Sequence, residues 1–500
     1  MEAELHPDKT HFIKSPLDQQ VDLSTKLIAL IKNGCYNPAM PSRQRDYQFI
    51  EGTISLCPEC LQRVDAKIIE RKNQIFIQKY CLKHGPQEEI LEENAAYWRQ
   101  RMQYTKPGTV SKTQTVRSKG CPFDCGLCPE HEQHTCIGLI EVTNKCDQKC
   151  PMCYANSGLG EPLSLEKINQ MLDFYQDSEF GQAEILQISG GEPTTHPDII
   201  KIIRSAREKK IQYVMLNTNG LRLAADENFV KELSQFTGRF EIYLQFDGFD
   251  DKAYQHMRGR KLTDTKLRAI KNLTKYKIPI TLVSTIERGV NDQEIGKIVE
   301  FGLKTPYIRG INFQPVAFFG RLGNVDKTNR ITMTGVMAEI GKQTSGMIKS
   351  TDFIPLPCDV DRVTITYLYR EKGEFIPLMR QIDLKNYLPA IRNTFKFNPE
   401  DFLKDLTKSA IGPGEKCCDY LGALKKFNRI IPKSYFAKTE SEKLEYVSAN
   451  TFRISITSFI DAYNFDMKSM KKECVHIITP DLKKIPFSSY NMLHRQQYVV

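Results

Sequence analysis

No apolar run in the 500 residues reaches the roughly 20-residue length that a membrane-spanning helix needs. The stretch Met1 to Lys14 is polar and lacks the apolar core of a secretory signal, so a cytoplasmic protein is expected. There is no long block of basic residues. The 70 lysines and arginines exceed the 60 acidic residues, and the surplus of +10 is spread along the chain. That surplus permits an anionic partner without demanding one, and no nucleic-acid partner is expected. No internal repeat and no low-complexity segment is present, which argues against a repeat array and against a compositionally disordered chain. What remains is globular: 40% of residues are hydrophobic and 26% charged. The length suits roughly two to four domains.

What the chain does have is 15 cysteines, most of them clustered. In a long chain without a secretory signal, clustered cysteines bind metal more often than they form disulfides. The central cluster is Cys146-Asp-Gln-Lys-Cys150-Pro-Met-Cys153-Tyr154, just after the strand-like run from Ile137 to Thr143. Soft thiolates at C-x3-C-x2-C spacing select zinc or an iron–sulfur cluster. The number three is informative. A cubane needs four ligands, so three protein thiolates leave one iron open, and an open metal position is where a substrate or cofactor binds. The plainer alternative is a zinc knuckle whose fourth cysteine lies elsewhere.

Upstream, Cys57-Pro-Glu-Cys60 and Cys81-Leu-Lys-His84 flank two β-rich runs, Val64 to Glu70 and Gln74 to Tyr80. The turn between them is Arg71-Lys72-Asn73. This is the spacing of a zinc ribbon or a rubredoxin, holding one zinc or iron ion. Zinc would be structural and iron redox-active. A second C-x3-C-x2-C run follows, Cys121, Cys125 and Cys128, then His131, His134 and Cys136. Cys136 could close an auxiliary [4Fe–4S] cluster as fourth ligand, or a C-terminal cysteine could. The two histidines read as hydrogen-bonding neighbours. Cys35 stands alone and reads as an incidental thiol. Cys358, Cys417, Cys418 and Cys474, the last followed by His476, are either a third cluster or buried apolar residues.

From Ile137 to Gly320 strand-like and helix-like patterns alternate. Strands are expected at Gly138 to Thr143, Ala183 to Ser189, Tyr213 to Asn219, Glu241 to Asp247, Ile278 to Thr285 and Gly310 to Val316. Helices are expected at Leu165 to Tyr175, Pro197 to Lys209, Asn228 to Gln235, Lys266 to Tyr276 and Asp292 to Leu303, the first capped by Ser164. Such alternation implies a parallel sheet with right-handed crossovers. The expected class is α/β, a partial (β/α)6 TIM-like barrel with its site at the C-terminal ends of the strands. The expected domains are 1–104 with the metal knuckle, 105–136 with the second cysteine cluster, 137–320 as the barrel, and 321–500 as a mixed α+β cap. Strands are expected in that cap at Val363 to Tyr369 and Val475 to Ile478.

At the strand ends sit Ser189-Gly190-Gly191-Glu192-Pro193, Asn217-Thr-Asn219-Gly220 and Gln245-Phe-Asp247-Gly248. Paired glycines permit close backbone approach of a ligand. Ser284, Thr285, Gln314 and Pro315 close the last two strands. Together the Cys146/Cys150/Cys153 motif, the barrel order and the Gly-Gly-Glu-Pro turn resemble the radical S-adenosylmethionine (SAM) superfamily. The resemblance implies that Cys146, Cys150 and Cys153 hold a catalytic [4Fe–4S] cluster. Its open iron would bind SAM and split it to a 5′-deoxyadenosyl radical. Gly190, Gly191 and Glu192 would hold the SAM amino group. Asn217, Gln245 and Asp247 would meet its ribose or carboxylate, and Arg258 would clamp the carboxylate. The family's aromatic residue before the third cysteine is here Met152, with Tyr154 after it, and both are candidates to pack on the adenine.

The full set of cysteines, from Cys57 to Cys136, further resembles a branch that includes tetraether lipid synthase and dihydropterin methyltransferase-like enzymes. The chain departs from that branch after Cys358, where Asp-Val-Asp-Arg-Val-Thr brings no second cysteine, and at Ser488, where some relatives have cysteine. The implied activity is functionalisation of an unactivated C–H bond, by C–C coupling of lipid chains or by C-methylation. A small-molecule or lipid substrate and a reductant protein such as ferredoxin or flavodoxin are the implied partners. A lipid substrate would bring peripheral membrane contact. Two rivals from other classes are a non-catalytic iron–sulfur electron carrier and a zinc-dependent nucleic-acid binder.

Overall fold

A period-two pattern builds the first sheet. In β3 (Gln74–Cys81) the residues Ile75, Ile77, Lys79 and Cys81 face inward. It lies between β2 (Arg63–Arg71) and β4 (Gly85–Glu92), with β1 (Gln48–Leu56) outside β2. Lys72 and Asn73 both adopt positive φ, 50° and 61°, as a two-residue hairpin turn requires. These coordinates come from a computed structural model that describes residues 45–498, except 110, 159, 382–387, 389–390, 396–403 and 406–432. Cys35, Cys417, Cys418 and the apolar cluster from Val21 to Leu30 lie outside the described residues. Two units divide the chain, Met1–Gln48 and Phe49–Val500.

The second sheet runs through the barrel region. Its parallel strands β5 (Ile137–Glu141), β7 (Ile185–Ser189), β8 (Tyr213–Thr218), β9 (Phe240–Gln245), β10 (Ile280–Ile286) and β11 (Ile308–Pro315) lie side by side in chain order. Between β5 and β7 a two-residue strand β6 (Met152–Cys153) pairs with β12 (Arg321–Leu322). The crossover helices carry apolar stripes. In Leu165–Ser178 the buried residues are Ile168, Met171, Leu172 and Tyr175, spaced to share one face. Ser164 caps this helix by accepting the Lys167 N–H at 3.2 Å.

The chain beyond residue 320 differs from a separate cap. β16 (Thr451–Thr457) pairs parallel with β11, and β17 (Val475–Ile478) pairs parallel with β5. β13 (Ile354–Leu356), β14 (Asp359–Glu371), β15 (Glu374–Pro377) and β18 (Lys484–Pro486) complete the sheet, whose order is β13-β14-β16-β11-β10-β9-β8-β7-β5-β17-β18 with β15 on β14. The C-terminal region therefore covers both edges of the six-strand core. The physical reason is that an open edge leaves a row of unpaired N–H and C=O groups.

Alternation along the strands sends side chains to two apolar layers. Ile140, Leu186, Ile188, Val214 and Leu216 pack with the helices. Leu139, Ile185, Met215, Tyr243 and Val283 face the other way, where they meet Val363, Ile365, Ile477 and Phe487. The second layer is thus closed by C-terminal residues.

Candidate active site

The cysteine loop leaves β5 at its C-terminal end. Cys146 N–H donates to Gly158 O at 3.1 Å, which closes the loop on itself. Gln148 N–H points to Cys146 Sγ at 3.4 Å, and Cys150 Sγ–H to Gln148 Oε1 at 3.5 Å. Cys153 Sγ lies 3.4 Å from Ser157 Oγ. Burial pushes the Cys146 thiol up to about 12 and raises Cys150 as well, with the Arg258 charge working against it. Thiolates here need a bound cation to become ligands at neutral pH. Gln148 Nε2 is buried and has no hydrogen-bond partner among the described residues. Three sulfurs and a spare N–H donor fit an anionic sulfide cluster.

The Gly-Gly-Glu turn presses on this loop. Gly191 N–H donates to Thr143 O at 2.7 Å and Glu192 N–H to Lys145 O at 2.9 Å. A Cβ on Gly191 would stand 2.5 Å from both Asn144 O and Lys145 O, and one on Gly190 would overlap Thr143 O. The glycines are therefore required by the cysteine loop's own backbone. Glu192 is 1% exposed and is spent inside the protein. Its Oε1 accepts Thr194 N–H at 3.0 Å, Thr194 Oγ–H at 2.6 Å and Thr218 Oγ–H at 2.7 Å, and its Oε2 accepts Asn219 N–H at 2.7 Å. It ties the ends of β7 and β8 together and acts as a positioning residue. Burial pushes its carboxyl up.

Arg258 makes a different partnership from the one expected. Its Nε and Nη2 bind Asp247 at 2.7 and 3.0 Å, and Nη2 also donates to Thr285 Oγ1 at 3.0 Å. Asp247 supplies the carboxylate in the guanidinium fork. Gln245 Nε2 donates to Asp247, and Lys266 Nζ donates to Gln245 Oε1 and to Asn219 O. Lys266 is fully buried, and burial lowers it to about 7 despite Asp247. Sequence reading missed this residue. The signal was available: Lys266, Ala269, Ile270 and Leu273 form the buried stripe of helix Thr263–Lys275. A lysine on an apolar face needs polar partners.

The remaining predicted contacts divide. Asn217 Nδ2 donates to Ser189 Oγ at 3.2 Å, next to the glycine turn. Tyr154 packs against Phe487, with ring centroids 5.2 Å apart. Met152 is buried with Met257, Val316 and Phe318. The segment Phe318 to Arg321 clips the loop from the other side. Gly320 has φ +69°, and any Cβ there would overlap Cys153 O. Arg321 pairs with Cys153 and donates to Cys150 O at 3.2 Å.

Among the described residues there are three further cysteine groups. Cys57, Cys60, Cys81 and His84 place all four ligand atoms within 4.8 Å of one another, which suits a single tetrahedral ion. Cys121, Cys125 and Cys128 line a small cavity with His131, Met470 and Pro486, and Ser489 Oγ–H points to Cys125 Sγ at 3.1 Å. Cys136 is not with them. Its sulfur lies within 4.8 Å of those of Cys358 and Cys474, and all three residues are buried. The register explains this. Cys136 precedes β5, Cys474 precedes the neighbouring β17, and Cys136 N–H donates to Cys474 O at 3.0 Å. His134 Nε2 lies 3.6 Å from Cys136 Sγ, while His131 and His476 bond each other at 3.0 Å between Nε2 atoms.

Inside the curl a cavity is lined by Gln187, Tyr243, Asn312, Gln314, Arg453 and Thr457, with Ile185, Met215 and Phe459 among its apolar walls. Arg453 Nε is buried there without a hydrogen-bond partner among the described residues. No helix among the described residues is long and apolar enough to cross a membrane.

Residues 140–302 match the Radical SAM superfamily, and residues 49–93 match the HMPTM N-terminal zinc ribbon domain. The chain is 34% identical over 483 residues to a 7,8-dihydro-6-hydroxymethylpterin dimethyltransferase of Methanocaldococcus jannaschii, covering 89% of this chain and 94% of that protein. It is 30% identical over 170 residues to a probable GTP 3′,8-cyclase of Pyrococcus abyssi, covering 33% of this chain and 52% of that protein. Among solved structures, Streptococcus suis SuiB aligns with TM-score 0.34 and 18% identity, over 39% of this chain and 42% of that one.

Proposed function

From the premise that this chain belongs to the radical SAM superfamily, in the branch of the pterin dimethyltransferase it resembles, we propose that it methylates carbon on a compact, polar, ring-shaped substrate of the dihydropterin kind. Membership brings a [4Fe–4S] cluster and S-adenosylmethionine. Bound together, these supply the one-electron chemistry that opens an unactivated C–H bond. We assign the cluster to Cys146, Cys150 and Cys153. Gln148 offers its spare amide N–H to that cluster. Glu192, through Asn219 and Thr218, fixes the glycine turn that faces it. The Asp247–Arg258–Thr285 group and Lys266 order the ends of β9 and β10.

The cavity within the curl carries the choice of methylation over coupling of lipid chains. Two joined lipid tails need a long apolar tunnel. A pterin needs donors and acceptors around a flat ring, and Gln187, Asn312, Gln314 and Arg453 offer them beside Tyr243 and Phe459. The same residues exclude water from a reactive intermediate once a ring fills the space. The buried group of Cys136, Cys358 and Cys474 and the site at Cys121 suit auxiliary metal centres. The electron source fits a ferredoxin- or flavodoxin-like protein, and a cytoplasmic setting belongs to the same reading.

The test is product analysis. Reconstituted protein, a low-potential reductant and SAM labelled in its methyl group are incubated with 7,8-dihydro-6-hydroxymethylpterin. The proposal expects labelled methyl on pterin carbon. Unmodified pterin beside efficient coupling of an archaeal-type lipid would contradict it.

A further inference from the structure

The four-stranded ribbon is joined to the cysteine loop by a short line of buried polar contacts. Glu89, on β4, pairs with Arg330 Nε at 2.9 Å. Arg330 Nη2 then binds both oxygens of Asp461, at 3.0 and 2.9 Å. The Asp461 side chain is 0% exposed and that of Arg330 6% exposed. The same Oδ2 that binds Arg330 also accepts the Phe318 N–H at 2.8 Å. Phe318 opens the segment whose Gly320 abuts Cys153 and Tyr154, and whose Arg321 pairs with Cys153 and reaches Cys150 O. The ribbon anchors the segment that carries Asp461 a second time. Lys79 Nζ donates to Leu56 O at 2.7 Å on its own side, and to Ala462 O and Tyr463 O at 2.7 and 2.8 Å beside Asp461.

Each link is costly to break and leaves little slack. Asp461 is buried and Arg330 is its ion-pair partner, so losing the arginine removes the counter-charge that contacts it. The carboxylate is then held only by the N–H groups of Phe318, Tyr463 and Asn464, at 2.8, 3.0 and 3.2 Å, and its position against Phe318 loosens. Arg330 also lies over the Phe318 ring, with the guanidinium 4.0 Å from its centroid. Gly320 has no clearance from Cys153, so a shift at Phe318 is passed to the loop.

We propose that the ribbon braces the C-x3-C-x2-C loop through Glu89, Arg330 and Asp461, which makes Arg330 and Asp461 positioning residues for the metal and SAM site. The inference rests on the reading that Cys146, Cys150 and Cys153 hold the cluster. A ribbon more than two hundred residues upstream in sequence from Arg330 thereby acts on the catalytic loop through Asp461 and Phe318.

The test compares reconstituted wild type, Arg330→Met and Glu89→Gln. Electron paramagnetic resonance is recorded on the reduced protein before and after adding SAM, and SAM affinity is measured by equilibrium dialysis. Hydrogen exchange of the Cys150–Ser157 backbone is followed in parallel. Arg330→Met is expected to weaken SAM binding about tenfold, alter the SAM-dependent spectrum and speed exchange of the loop, at unchanged iron content. Glu89→Gln preserves the Arg330–Asp461 pair and volume, and is expected to show the same changes at about threefold. It carries the test if Arg330→Met does not fold. Lower thermal stability with wild-type spectra, SAM affinity and exchange in the surviving variants overturns the inference. A wild type that gives no SAM-dependent spectrum contradicts the cluster reading instead, and loop exchange, which needs no SAM, then decides the brace by itself.

Discussion

Gly191 separates two accounts of the glycine turn. If the turn served only to admit a ligand, a methyl group would weaken that ligand's binding alone. In this structure the same methyl group meets Asn144 O and Lys145 O, two residues and one residue before Cys146. Gly191→Ala is therefore expected to lower the iron bound at the central cysteine loop, while the ribbon keeps its ion. Iron and zinc counted per chain against wild type check this. Lys266 makes a second prediction. Burial lowers it from 10.5 to about 7, so the unfolded chain holds more protons than the folded one between those values. Stability from this group is therefore least below pH 7 and rises between about pH 7 and 10.5. Lys266→Met removes that slope. Denaturant titrations at pH 7 and pH 9 should show wild type gaining on the variant as pH rises.

At the scale of elements, the barrel strands were legible and their neighbours were not. Ile185–Ser189 and Tyr213–Thr218 are apolar runs bounded by turn residues, and their boundaries fell within a few residues of expectation. β16 was missed because Thr-Phe-Arg-Ile-Ser-Ile-Thr carries a weak alternation whose meaning depends on β11 beside it. Val475–Ile478 was read as a strand, but nothing local said that it pairs with β5. That pairing is also what takes Cys136 away from Cys121, Cys125 and Cys128. Spacing in the chain suggested one site, and strand register made two. The protein partner of Arg258 was not legible for a similar reason: Asp247 lies one element away and comes into reach only when helix Asp251–Arg258 folds back. A chain ended before Val475 would expose the β5 edge and lose the Arg495–Glu141 pair. It is expected to aggregate on expression, which light scattering of the purified truncation checks.

Across the whole molecule, one sheet is asked to do three things. Its strand ends carry the cysteine loop and the polar group around Asp247. Its inner face encloses the cavity. Its added edge strands bring Cys474 beside Cys136, with Cys358 just ahead of β14. The ribbon stands outside this sheet and is tied to it by Arg330 and Lys79. The central claim is that Cys146, Cys150 and Cys153 form the radical-generating site. The most direct measurement is anaerobic. Reconstituted protein is mixed with SAM and dithionite, and 5′-deoxyadenosine is quantified by mass spectrometry beside a Cys150→Ala variant. The account predicts 5′-deoxyadenosine from wild type and none above background from the variant. Intact SAM in the wild-type sample, with iron and sulfide fully incorporated, would contradict it.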